Sequence, residues 1–149
     1  MVKILFVCHG NICRSVMAQF MFEKMLKDEN LDSFAYVDSG AVTTEEIGND
    51  MYYAAKDILD EHHVPYEKHR ARQVNKEDIA KFDLIICMDR SNLNGLYRKF
   101  GNIAKIQLLL DRDVSDPWWT RDFEKAYDDI NKGLIKLMNR LKKEGLLNE

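Results

Sequence analysis

The sequence predicts a single-domain α/β protein: four strands forming a parallel sheet, helices on both of its faces, and a phosphate-binding loop after the first strand. Two observations carry that expectation. Short apolar runs of β type alternate along the chain with longer stretches of helical period, and that alternation suits strands joined by crossover helices. The first apolar run, Ile4-Leu5-Phe6-Val7, gives way to Cys8-His9-Gly10-Asn11-Ile12-Cys13-Arg14-Ser15, after which an amphipathic helical pattern begins at once.

In order along the chain, strands are expected at Lys3–Val7, Ala35–Ser39, Leu84–Met88 and Ile103–Leu108. Helices are expected at Ser15–Lys27 and Asp50–His62, with a shorter one after Asp89. The last helix has the clearest pattern: Phe123, Ala126, Tyr127, Ile130, Leu134, Leu137, Met138 and Leu141 recur at three- and four-residue spacing and form one apolar stripe. No linker, repeat or low-complexity stretch divides residues 1–149, and there are only two prolines. Open parallel sheets bind ligands at the carboxyl ends of their strands. Cys8 follows the first strand and Asp38-Ser39 closes the second, so both fall on that edge.

A chain of 149 residues is long enough to bury roughly 68–70% of its unfolded surface. The 46% hydrophobic content supports a true core, and the 32% of charged residues supports a water-facing exterior. A net charge of −3, from 22 basic and 25 acidic residues, gives no footprint for nucleic acid. No apolar segment approaches the roughly 20 residues that span a bilayer, and the N-terminal run is too short for a signal peptide. Three cysteines, Cys8, Cys13 and Cys87, make no disulfide framework and suit a reducing compartment. A cytoplasmic monomer is expected.

A thiol placed where a strand ends and a helix begins meets free backbone N–H groups and the positive end of a helix dipole. That environment binds anions and favours thiolate over thiol. Five residues between Cys8 and Arg14 let the loop wrap a phosphate-sized anion, with the guanidinium fork returning to grip two oxygens. Gly10 permits close backbone approach, and Asn11 tolerates a left-handed conformation that turns its amide inward. Ser15 is a helix N-cap residue by type and can also donate to the Cys8 sulfur. Nucleophile and oxyanion cradle in one loop imply phosphoryl transfer through cysteine. Far along the chain, Asp116-Pro117 followed by Trp118-Trp119 reads as a polar point beside a large apolar face, although an isolated Asp-Pro is more often a turn. His62-His63 cannot form a metal pair, because adjacent helix residues do not face one site. No metal or other cofactor is expected.

The arrangement resembles the low-molecular-weight protein tyrosine phosphatases. Beyond the loop, the matching signatures are Asp38-Ser39-Gly40-Ala41-Val42, Ile47-Gly48, His69-Arg70-Ala71-Arg72-Gln73, Cys87-Met88-Asp89 and Asp116-Pro117, all in family order. The resemblance implies a sheet with the first strand central. It also implies that Cys8 forms a cysteinyl-phosphate and that Asp116 protonates the leaving phenol and then activates water. By the same resemblance Ser39 and His69 hold Asn11 in its strained conformation, and Asp89, which follows the third strand, is a candidate supporting residue behind the catalytic groups. Read as residues alone, these three are a strand-end hydroxyl, a surface histidine and a helix cap. The expected substrates are phosphotyrosine-containing proteins or peptides, with inorganic phosphate as product.

Several positions depart from the family pattern. His9 replaces a common leucine, Val16 a proline, and Glu45 stands where many members have an aromatic pocket wall. Trp118 and Trp119 replace tyrosines that some eukaryotic members phosphorylate, and Trp118 is expected to stack on the substrate ring. Ile12 favours phosphotyrosine over phosphoarginine, since the arginine-phosphatase branch carries threonine there. Cys13 either fills space under the loop or traps an oxidised Cys8 as a disulfide. Cys87 is expected to be buried and inert. Two alternatives remain in view: a thioredoxin-coupled arsenate reductase, which needs a further cysteine pair where Cys87 stands alone, and a non-catalytic phosphotyrosine-binding module.

Overall fold

The computed structural model describes residues 1–148. The first strand, β1 (Val2–Cys8), lies inside a four-stranded sheet of order β2-β1-β3-β4, with β2 at Ala35–Ala41, β3 at Leu84–Cys87 and β4 at Ile106–Leu108. All three pairings are parallel; Phe6 sits level with Ser39 and Ile86, and Cys8 with Ala41. Helix α1 (Arg14–Asp28) follows β1; α2 (Tyr53–Glu61) and α3 (Lys76–Lys81) separate β2 from β3; α4 (Arg90–Phe100) precedes β4; α5 (Pro117–Thr120) and α6 (Phe123–Lys143) close the chain.

Alternation along β1 feeds two cores. Ile4, Phe6 and Cys8 face a cluster containing Met17, Phe22 and the α6 residues Ile130, Leu134 and Leu141, with Phe6 and Phe22 edge to face at 5.9 Å. Leu5 and Val7 face the other cluster, with Phe82, Ile85, Leu96 and Ile106. Both faces of the central strand are therefore dry, the burial pattern of a parallel sheet covered by helices. Six of the eight residues of the α6 stripe are buried and Phe123 and Tyr127 are half-buried; His62 stacks flat on Tyr127 (3.7 Å between centroids), pinning α2 to α6. Among the described residues no helix is long and apolar enough to cross a membrane.

Side-chain and backbone hydrogen bonds move several element boundaries. The helix expected from Asp50 starts at Tyr53, because Asp50 Oδ1 accepts Met51 N and His69 N while Tyr52 N donates to Ile12 O. The strand expected from Ile103 starts at Ile106, after a turn closed by Ile106 N to Ile103 O. Helix α3 was not expected. Six residues are too few to show a period, and its signal is the capping box in which Asn75 and Asp78 satisfy each other's backbone N–H groups.

Candidate active site

The loop between β1 and α1 is held by backbone contacts on two sides. Val42 N donates to Cys8 O, Thr43 N to His9 O and Tyr52 N to Ile12 O, so the 42–52 segment wraps it. Helix α1 begins with no side-chain cap at Cys13, which leaves its first N–H groups uncommitted to protein side chains. A Cβ on Gly10 would come within 3.2 Å of Glu46 Cγ, so glycine lets the loop lie close to the 45–46 pair.

Buried behind the loop, Asn11 is the keystone. Its φ of 62° is left-handed, as its type allows. All four of its polar groups are engaged: N–H to Cys8 Sγ (3.3 Å), Nδ2 to Ser15 Oγ (2.8 Å), Oδ1 from Arg72 N (3.2 Å) and O from His69 Nε2 (2.7 Å). A carbonyl can only accept, so His69 carries its proton on Nε2. Burial pushes the His69 pKa down, keeping the ring neutral. Ser15 Oγ lies 3.0 Å from Cys8 Sγ; because it already accepts from Asn11, its own O–H is available to the sulfur.

The role expected of Ser39 is corrected. Strand β2 continues two residues past it, and there Ser39 shares the α1-facing side with Ala35 and Val37. Its hydroxyl therefore donates to Gln19 Oε1 at 2.6 Å, and Asn11 is reached by the backbone of Arg72 instead.

Arg14 is buried at the first position of α1. Its Nη1 donates to Val114 O (3.1 Å), and its Nη2 lies 2.9 Å from Asp89 Oδ2 and 3.3 Å from Asp116 Oδ2. Burial opposes the guanidinium charge, but Cys8, Asp116 and Asp89 outweigh it and push the Arg14 pKa up. Asp89 carries both readings of the sequence: Oδ1 caps α4 through Asn92 N, and Oδ2 holds Arg14. Asp116 likewise caps α5 through Trp118 N while its other oxygen faces Arg14.

These groups line one cavity of about 490 Å³, a size suited to a small ligand. Four stretches of chain contribute: residues 8–14 except the buried Asn11, the pair Glu45-Glu46, the start of α4 (Asp89, Ser91, Asn92), and Asp116 with Trp118 and Trp119. Trp118 is braced edge-on by Tyr52 at 5.2 Å and covered by Arg121, whereas Trp119 is 81% exposed. Glu45 pairs with His9 Nε2 at 3.0 Å. Burial, with the charges of Cys8 and Asp116 beside it, pushes the Cys13 thiol up to about 12. Burial pushes Cys87 up as well.

The structure thus brings Cys8, Arg14 and Asp116 to one cavity and keeps Asn11, Ser15 and His69 behind it. Sequence reasoning missed Glu46, Asn92, Arg72 and Asp50. Arg72 lay within a quoted signature, but its contribution is a backbone N–H, which side-chain type does not reveal.

Residues 3–147 match the family model described as low molecular weight phosphotyrosine protein phosphatase. The human low molecular weight phosphotyrosine protein phosphatase is 43% identical over 137 residues, covering 84% of this chain and 86% of that protein. The crystal structure of YfkJ from Bacillus subtilis superposes with a TM-score of 0.92 at 35% identity, covering 97% of this chain and 96% of that one. SP-PTP, a low molecular weight protein tyrosine phosphatase from Streptococcus pyogenes, gives a TM-score of 0.88 at 33% identity over 95% of this chain and 93% of that one. With the family model matched over residues 3–147 and the fold shared with these relatives, the chain belongs to the low molecular weight phosphotyrosine protein phosphatase family.

Proposed function

We propose that this protein-tyrosine-phosphatase hydrolyses phosphotyrosine in proteins or peptides through a cysteinyl-phosphate on Cys8, with Asp116 as general acid and base and no metal ion. The observation that carries this reading is the convergence of two hydrogen bonds on Cys8 Sγ, from Asn11 N–H and Ser15 O–H, in a cavity that Arg14 and Asp116 also line. The thiolate attacks phosphorus, and the bond from phosphorus to the phenolic oxygen breaks as Asp116 gives that oxygen its proton. A protonated Asp116 no longer ion-pairs with Arg14 Nη2, which frees guanidinium N–H groups for the equatorial oxygens while Asp89 keeps the fork aligned. Water then attacks phosphorus with Asp116 as base. The S–P bond breaks, Ser15 donates to the departing sulfur, and inorganic phosphate leaves. Trp118, braced by Tyr52 and Arg121, offers a fixed face for the substrate ring, which favours an aryl ester over phosphoserine. Ile12, on the cavity lining, favours phosphotyrosine over phosphoarginine. Three free, buried thiols suit a catalytic domain working in the reducing cytoplasm.

The test has two arms. Cys8→Ser should abolish turnover yet keep phosphate or vanadate affinity within about tenfold, since the loop amides and Arg14 remain; residual activity above a few per cent of wild type would exclude covalent catalysis by Cys8. Turnover of phosphotyrosine and phosphoarginine peptides, and of arsenate with thioredoxin, should favour the first, and a preference for either other substrate would overturn the assignment.

A further inference from the structure

We propose that Asp129, a carboxylate of α6 that does not line the cavity, is a positioning residue for Asp116, holding the chain immediately before it through the backbone of Ser115 and the side chain of Arg112. The inference rests on the reading of Asp116 as general acid.

Residues 111–116 belong to no helix or strand, so side chains and distant carbonyls must hold them. Val114 is tied through both of its backbone polar groups: its N–H donates to Met88 O (2.9 Å) and its carbonyl accepts from Arg14 Nη1 (3.1 Å). Between that tether and Asp116 only Ser115 remains, and Ser115 N donates to Asp129 Oδ2 at 2.9 Å. The same carboxylate takes the Arg112 fork, Nη1 to Oδ2 at 3.1 Å and Nη2 to Oδ1 at 2.9 Å. Arg112 Nη1 in turn reaches Asp113 O at 3.1 Å. One side chain of α6 thus grips the segment at two points on the approach to Asp116.

Burial makes this commitment costly to break. Asp129 is 1% exposed and sits on the inner side of α6 beside Ala126 and Ile130, where a buried carboxylate is tolerated only when its oxygens are paired. Hydrogen bonds from Arg112, with Ser115 N, hold its pKa down at about 2, so the grip persists through acidic conditions. Asp116 itself is less confined: its side chain is 32% exposed, its helix-capping bond to Trp118 N orients it only relative to its own backbone, and its contact with Arg14 Nη2, at 3.3 Å, is given up when it carries the proton. Where that backbone stands is left to the tether just before it and to α5. A displacement of about 1 Å in a catalytic group can cost on the order of 100-fold in rate.

The test measures the phosphorylation step directly with two leaving groups, phosphotyrosine and an activated nitrophenyl ester. Asp129→Asn keeps the size of the side chain but weakens the Arg112 and Ser115 contacts. It should slow phosphorylation by phosphotyrosine about tenfold and by the activated ester less than about twofold, because only the first depends on a well-placed acid. Vanadate affinity should stay within about twofold, since the loop that binds it is untouched. In an Asp116→Ala background, Asp129→Asn should cause no further loss. Equal slowing of both esters by Asp129→Asn, or an additive loss in the double variant, would overturn the proposal while leaving Asp116 as the acid. If Asp116→Ala alone slows both esters equally, it is the acid assignment that falls, and this inference falls with it. Should Asp129→Asn not fold, Arg112→Gln removes the fork from the solvent side and should show the same leaving-group pattern at about threefold; no difference between the esters would overturn the proposal.

Discussion

Replacing Asn11 with alanine strikes the residue on which the loop's conformation depends, and the size of the effect follows from its contacts. Alanine cannot accept from Arg72 N or donate to Ser15 Oγ, bonds of 3.2 Å and 2.8 Å in a fully buried side chain. An unpaired Arg72 N–H costs about 1–2 kcal/mol and the lost Ser15 bond about 1 kcal/mol. Alanine at the left-handed φ of 62° adds about 1 kcal/mol of backbone strain. The total is about 3–4 kcal/mol, which for a chain of this length lowers Tm by roughly 6–16 °C. Function should suffer separately. Ser15 Oγ, no longer accepting from Asn11, is free to turn its O–H away from Cys8 Sγ, and the loss of a hydrogen bond to a charged group of about 1.5 kcal/mol slows the step it serves roughly tenfold. Thermal melts paired with burst kinetics, which separate phosphorylation from breakdown of the intermediate, measure both. A Tm within about 2 °C of wild type, or unchanged breakdown, would refute the assignment of Asn11 as the strut of this loop.

Other expectations follow from neighbouring groups. His69 is neutral in the fold because burial lowers its pKa, whereas the unfolded chain takes up that proton near pH 6.5. Its stabilising contribution is therefore complete above about pH 6.5 and shrinks as pH falls from there toward the folded value. Denaturant midpoints should show wild type losing more stability on acidification than His69→Gln, and parallel curves would refute it. Mild peroxide should inactivate the enzyme reversibly, the Cys8 sulfenic acid and Cys13 thiol condensing to a disulfide and water. Because Cys13 sits at about 12, bond formation should quicken as pH rises, and Cys13→Ala should lose activity irreversibly. Absence of a Cys8–Cys13 linked peptide by mass spectrometry would return Cys13 to packing. Glu45, exposed on the cavity rim, should disfavour phosphopeptides with acidic flanks by about 1 kcal/mol or less. Equal acidic-to-basic ratios of kcat/KM in wild type and Glu45→Gln would remove that role.

The sequence by itself determined the fold class, the four strands, the α6 stripe, and the convergence of Cys8 and Arg14. Each of these is a local matter of apolar period or of spacing within a single loop. It also marked Asp116, through resemblance along the whole chain. Only the tertiary structure decided the partners. Ser39 faces Gln19 because β2 runs on past it and its pleat points to α1, while a backbone N–H of Arg72, which no side-chain pattern encodes, takes its expected place at Asn11. Asp129 falls outside the apolar stripe of the last helix, yet it is buried against the segment carrying Asp116, where Arg112 and Ser115 N reach it. Periodicity records which way a side chain points from its own element. What it meets there depends on distant chain, and bonds such as Arg14 to Val114, 100 residues apart, exist only once the elements have packed.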